Sequence, residues 1–111
     1  MAYDEQLAAR IRREIGEESG LTEKQMFGGL AFLVNGNMSV AASGQAGILV
    51  RVDPEQTDAL ADEPYAEVAV MRGRPMAGWL RVAAGGVRTD EELGRWVARG
   101  VQYARSLPSK A

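Results

Sequence analysis

The sequence contains no cysteine and no histidine. Without cysteine, disulfides, thiol nucleophiles and cysteine-based zinc sites are excluded, and a reducing compartment is the easier home. Without histidine, the commonest general base and the commonest transition-metal ligand are missing, so chemistry would fall to carboxylates, lysine, tyrosine and hydroxyls. Lysine is itself scarce, with only Lys24 and Lys110 present. Lys110 lies at the chain end and Lys24 reads as a solvated charge rather than a buried nucleophile. The templates G-x-S-x-G, S-x-x-K, G-x-x-x-x-G-K-[ST], G-x-G-x-x-G and H-E-x-x-H are all absent. Acidic residues gather at helix starts, where they complement the helix dipole, and no loop has the ligand spacing of a known magnesium or calcium motif. A protein that is not an enzyme and takes no cofactor or metal is the expectation. No stretch approaches the roughly 20 apolar residues of a membrane span, and the opening "MAYDEQLAARIRREIGEE" is charged from residue 4 without an apolar signal core. The location expected is therefore cytoplasmic, with no membrane partner.

What is present suits one domain, residues 1–111, large enough to bury roughly 65% of the surface its unfolded chain exposes. Net charge is −2, but it is unevenly spread. Residues 1–70 carry 5 basic and 12 acidic side chains, and residues 71–111 carry 8 and 3. Such asymmetry either marks a basic face for an anionic partner or reflects two halves that neutralise one another on folding.

Tyr3, Leu7, Ile11 and Ile15 recur at helical spacing and predict an amphipathic helix from Tyr3 to about Ser19, closed by Gly20. Residues 26–34 are almost continuously apolar and end in Asn35-Gly36, the pair that favours a two-residue hairpin loop. Strands at about 38–42 and 48–52 follow and complete a meander. Asp53-Pro54 opens a short helix bounded by Pro64. Residues 67–72 and 76–83 read as two further strands around a Gly-Arg-Pro corner. Thr89-Asp90-Glu91-Glu92 is a capping box, and Leu93, Trp96, Val97, Gly100, Val101, Ala104 and Leu107 continue a helix of four turns. The order α-β(3)-α-β(2)-α predicts an α+β, two-layer sandwich with an antiparallel five-stranded sheet.

Two stretches stand out as interaction candidates. In "KQMFGGLAFLVNGNM", Met26 and Phe27 precede the adjacent glycines Gly28 and Gly29. These glycines either shape the first strand so that the last helix can lie against it, or expose backbone N–H groups to a ligand or partner strand. In "VMRGRPMAGWLR", Met71, Arg72, Arg74 and Arg81 lie near one hairpin with Trp79 beside Gly78. This is either a solvated turn with one core tryptophan or a small anion-facing patch with an aromatic available to stack. Three arginines fall well short of a nucleic-acid footprint, so direct nucleic-acid binding is the less favoured alternative. Met26, Met38, Met71 and Met76 fall at strand ends, where flexible thioethers fill gaps or adapt to partners.

Taken with their order and spacing, "MFGGLAFLVNGNM", "LVRVD", "MRGRPMAGWLRV" and "LGRWVARGVQYARSLP" resemble the TfoX N-terminal domain family, also called the Sxy competence-regulator family, over nearly the whole chain. Met26, Phe27, Gly28, Gly29, Gly36, Arg51, Met71 and Arg72 are the matching positions. The resemblance implies a fold similar to secretion-chaperone-like domains and, because such folds often dimerise, a second copy of the chain among the candidate partners. It also implies a role beside a cAMP-receptor-type transcription factor, through protein contacts with the transcription machinery. Beside the two-domain regulators of that family, a stand-alone N-terminal domain is the expectation. No catalytic residues carry over.

Overall fold

The computed structural model describes residues 3–26, 28–44 and 47–109. The Asp4 carboxylate accepts hydrogen bonds from the backbone N–H groups of Gln6 and Leu7 at 2.9 and 3.2 Å, satisfying two of the donors that a helix start leaves unpaired. Helix α1, Glu5–Ile15, follows and buries Leu7, Ala8, Ile11 and Ile15. It stops at Gly16, whose N–H caps the Arg12 carbonyl, one turn earlier than the expected Gly20. Gly20 instead lies across from Asn35, whose N–H bonds its carbonyl at 3.0 Å.

Among the described residues six strands form one antiparallel sheet: β1 (Leu21–Met26), β2 (Gly29–Val34), β3 (Asn37–Ala42), β4 (Ile48–Arg51), β5 (Ala66–Met71) and β6 (Arg74–Val82). Their order is β1-β2-β3-β4-β6-β5. The α+β expectation holds, with one strand more than the five expected. The additional strand is β1, and its hydrophobic pattern gives no sign of it because Thr22, Glu23, Lys24 and Gln25 are all exposed along the edge of the sheet. Met26 pairs with Gly29, so β1 and β2 run antiparallel where a single strand was expected to run straight through. Phe27 itself lies outside the described residues.

After β4 the Asp53 carboxylate accepts from the Glu55 N–H at 2.9 Å and starts a 3-10 turn, Pro54–Gln56, that continues into α2, Thr57–Ala61. Helix α3, Asp90–Ser106, begins with the expected capping box: the Glu92 N–H donates to the Thr89 hydroxyl, and the Thr89 N–H donates to the Glu92 carboxylate. The hydrogen bonds that the Glu92 carboxylate accepts, first from the Thr89 N–H and then from the Thr89 hydroxyl, hold its carboxyl below the ordinary range.

The three α-helices among the described residues pack on one face of the sheet. Ile11, Leu93, Trp96 and Val97 meet Phe32, Val40, Val50, Leu80 and Val82 there, with Leu60 and Ala61 of α2 at the margin. Close approach of α3 to the sheet depends on Gly100, since a Cβ at that position would stand 2.4 Å from the Ser39 carbonyl oxygen. The opposite face carries a second cluster containing no helical residue: Ala31, Met38, Ala41, Leu49 and Ala69, with Met26, Leu33, Met71 and Trp79 against it. No helix among the described residues is long and apolar enough to cross a membrane.

Candidate functional site

The helix-free face would normally be open to water, yet Ala31, Ala41 and Ala69 are almost wholly buried. The cause lies in the β5–β6 hairpin. Val68 pairs with Leu80, but the next pair on the hairpin is Val70 with Pro75, which sets four residues of β6, Met76 to Trp79, against the single Ala69 of β5. So large a bulge bends both strands. Its apex is Gly78, at φ +88°, a conformation open chiefly to glycine. The Gly78 N–H donates to the Thr57 hydroxyl at 2.7 Å, and the Gly78 carbonyl accepts from the Val52 N–H at 2.9 Å. Thr57 is buried and in turn donates to the Pro54 carbonyl at 3.0 Å. Beyond this clamp the hairpin tip, residues 70–75, forms an arm folded over the helix-free face.

Between arm and sheet lies a cavity of about 290 Å³. Met26 and Gly29 line it from the β1–β2 end, Ala41 and Leu49 from the middle of the sheet, and Val70, Met71 and Arg72 from the arm. Its floor follows from the register. Ala41, Leu49 and Arg81, which line it, stand side by side on neighbouring strands, in a row that Ala31 and Glu67 continue beyond the cavity. Two alanines in the centre of a sheet leave room that larger β-formers would fill.

The structure thus brings together Met26, Gly29, Met71 and Arg72, which lie far apart in sequence. Gly29 is fixed by space: a Cβ there would stand 2.0 Å from the Ala42 carbonyl oxygen. Its neighbour Gly28 has φ +74° with open space around it. The pair therefore serves a tight strand reversal and a close strand contact, not the approach of the last helix, which Gly100 supplies.

At the arm tip, Arg72 and Gly73 have φ of 54° and 77° and connect the paired Met71 and Arg74. Positive φ at both centres defines the same kind of two-residue turn as Asn35-Gly36, with φ of 53° and 82°. The first position favours Asn, Asp or Gly, so an arginine there is held at some conformational cost. Arg72 and Arg74 are exposed, and neither has an ion-pair partner among the described residues.

Arg51 and Trp79 stand apart from this cavity. They are cross-strand neighbours, and the Arg51 guanidinium lies 5.2 Å from the Trp79 ring centre and 5.7 Å from that of Tyr103 on α3. Held between two rings, Arg51 ties the sheet end to the last helix. Tyr103 and the cavity residues Ala41, Leu49 and Val70 are not among the residues the sequence singles out as candidates. Only the folded register reveals them. A second cavity, about 260 Å³ between α2 and α3, is lined by Asp53, Arg99, Gln102 and Tyr103 and holds none of the sequence-selected residues. Among the described residues no group of three or more acidic side chains is placed to hold a metal ion.

The family model of the TfoX N-terminal domain matches residues 14–104. The chain belongs to the TfoX N-terminal domain family. No curated protein and no solved structure matches it. The TfoX match spans both stretches that meet at the cavity, and it points to a competence- or DNA-uptake-related domain. In this TfoX N-terminal domain Met26 and Gly29 pair where β1 meets β2, and the Met-Arg block supplies the tip of the arm.

Proposed function

We propose that this TfoX N-terminal domain is a non-enzymatic interaction module that contributes to transcription and competence regulation by binding a protein partner through the β5–β6 arm. The observation that carries the reading is the convergence of Met26, Gly29, Met71 and Arg72 on one cavity roofed by that arm. Exposed Arg72 and Arg74 beside Val70, which is 58% exposed, give the arm the mixture of cationic and apolar surface that suits a partner interface. Family kinship supports a cAMP-receptor-type transcription factor as the partner, met through an acidic surface.

The test is retention of this chain on an immobilised, purified factor of that type. Wild type should be retained, and the Arg72→Ala/Arg74→Ala double variant should bind at least about tenfold more weakly, the loss of two charge-assisted contacts of roughly 1 kcal/mol each. Equal retention of both proteins removes the arm tip from the proposal. Direct duplex binding that weakens steeply with salt would replace the protein partner with nucleic acid.

A further inference from the structure

The cavity beneath the arm has the size and lining of a small-molecule site in its own right. Its volume, about 290 Å³, stands at the lower end of ligand pockets and is too small for a helix or strand of a partner. Hydrocarbon and thioether side chains supply its apolar wall, Met26 on one edge strand, Val70 and Met71 on the other, and Leu49 between them, while Ser43, Arg72 and Arg81 supply a polar one. Methionine adapts its shape to an occupant at little cost. Both ionisable residues lining it are cationic, Arg72 and Arg81. Arg81 lies within β6 and is paired in the register with Leu49 and Glu67, whereas Arg72 stands exposed at the arm tip with no ion-pair partner among the described residues and is the cation placed to meet an anion.

The turn chemistry points the same way. Asn35, at the first position of the other turn of this kind, is a residue type suited to its positive φ. Arg72 occupies the equivalent position with the same positive φ, so its side chain is retained against backbone preference. A guanidinium at the mouth of an apolar cavity recognises a carboxylate carried on hydrocarbon.

We propose that the cavity binds a small apolar carboxylate, with its hydrocarbon among Met26, Leu49, Val70 and Met71 and its carboxylate on Arg72. This site requires no protein partner, so it stands or falls separately from the interaction reading although Arg72 serves both.

The experiment uses the full chain labelled at the methionine ε-methyl groups and titrated with octanoate. The Met26 and Met71 methyl resonances should move along a saturable curve, and that of Met76, which does not line the cavity, should stay in place. Octylamine, equal in length and opposite in charge, should leave Met26 and Met71 unmoved. Arg72→Asn keeps a residue suited to the turn, so the protein stays folded, and it should weaken octanoate binding at least tenfold. Unmoved Met26 and Met71 resonances, equal response to octylamine, or undiminished binding by the Arg72→Asn protein would each overturn the proposal. Octanoate binding without retention on the transcription factor would retire the partner reading alone, and retention without octanoate binding would retire this one alone.

Discussion

At the residue scale, the two glycines at the β1–β2 reversal make separable demands. A methyl group at position 29 would run into the Ala42 carbonyl oxygen, whereas position 28 has space but a left-handed backbone. Gly29→Ala should cost about 1–3 kcal/mol as overpacking against backbone. Gly28→Ala should cost about 1–2 kcal/mol through conformation alone. Urea denaturation of both variants checks the order, and a Gly29→Ala protein as stable as wild type would refute the close-contact account. Arg72 gives the opposite sign. Arg72→Asn should recover part of the roughly 1–2 kcal/mol that a left-handed conformation costs an ordinary residue, raising the melting temperature while weakening binding. A stabilising substitution that impairs function marks a residue kept for its side chain.

Among the elements, the arm depends on a hydrogen bond between residues 57 and 78. Thr57→Val keeps the shape of the side chain but leaves the Gly78 N–H without its acceptor, which should cost about 1–3 kcal/mol. The amides of residues 70–75 should exchange faster with solvent as the clamp loosens. Hydrogen exchange followed residue by residue checks this, and unchanged protection of the arm would show that Thr57 does not hold it.

Element by element, legibility in the sequence follows the range of the interactions involved. The Asp53 and Thr89 helix starts and the Asn35-Gly36 turn were readable because each is decided within four residues. Strand β1 was not, because an edge strand exposed on both sides carries no alternation. The arm was not, because its bend requires a hydroxyl from α2, and the cavity requires edges from both ends of the sheet. Met26, Gly29, Met71 and Arg72 were legible as candidates but not as neighbours, and Arg51 and Trp79 proved to form a separate cluster.

In the whole molecule, the two oppositely charged halves of the chain neutralise one another in part. Arg99 of α3 pairs with Glu63 at 2.8 Å, and Arg105 pairs with Glu18. On the other side Arg12 of α1 makes a two-point contact with Glu23 of β1, at 2.7 and 2.8 Å. The hydrogen bond from Arg12 holds the Glu23 carboxyl below its ordinary range. A carboxyl with a lowered folded-state pKa stabilises the fold above its unfolded-state pKa, and that contribution fades as pH falls through the folded value. Acid should therefore loosen the β1 edge together with the α3 cap, where Glu92 behaves in the same way. Glu23→Gln should flatten the decline of stability between about pH 5 and pH 3. Equal slopes in wild type and variant would show that the pair contributes nothing to folding.

The central claim is that the β5–β6 tip lies on the helix-free face and closes one cavity with the β1–β2 reversal. Nuclear Overhauser contacts between methyl groups test it most directly. The account predicts cross-peaks from the Met71 ε-methyl to the methyls of Leu49 on the sheet. Cross-peaks confined to the hairpin's own residues, Ala69, Val70 and Met76, would place the arm away from the face and dissolve the site.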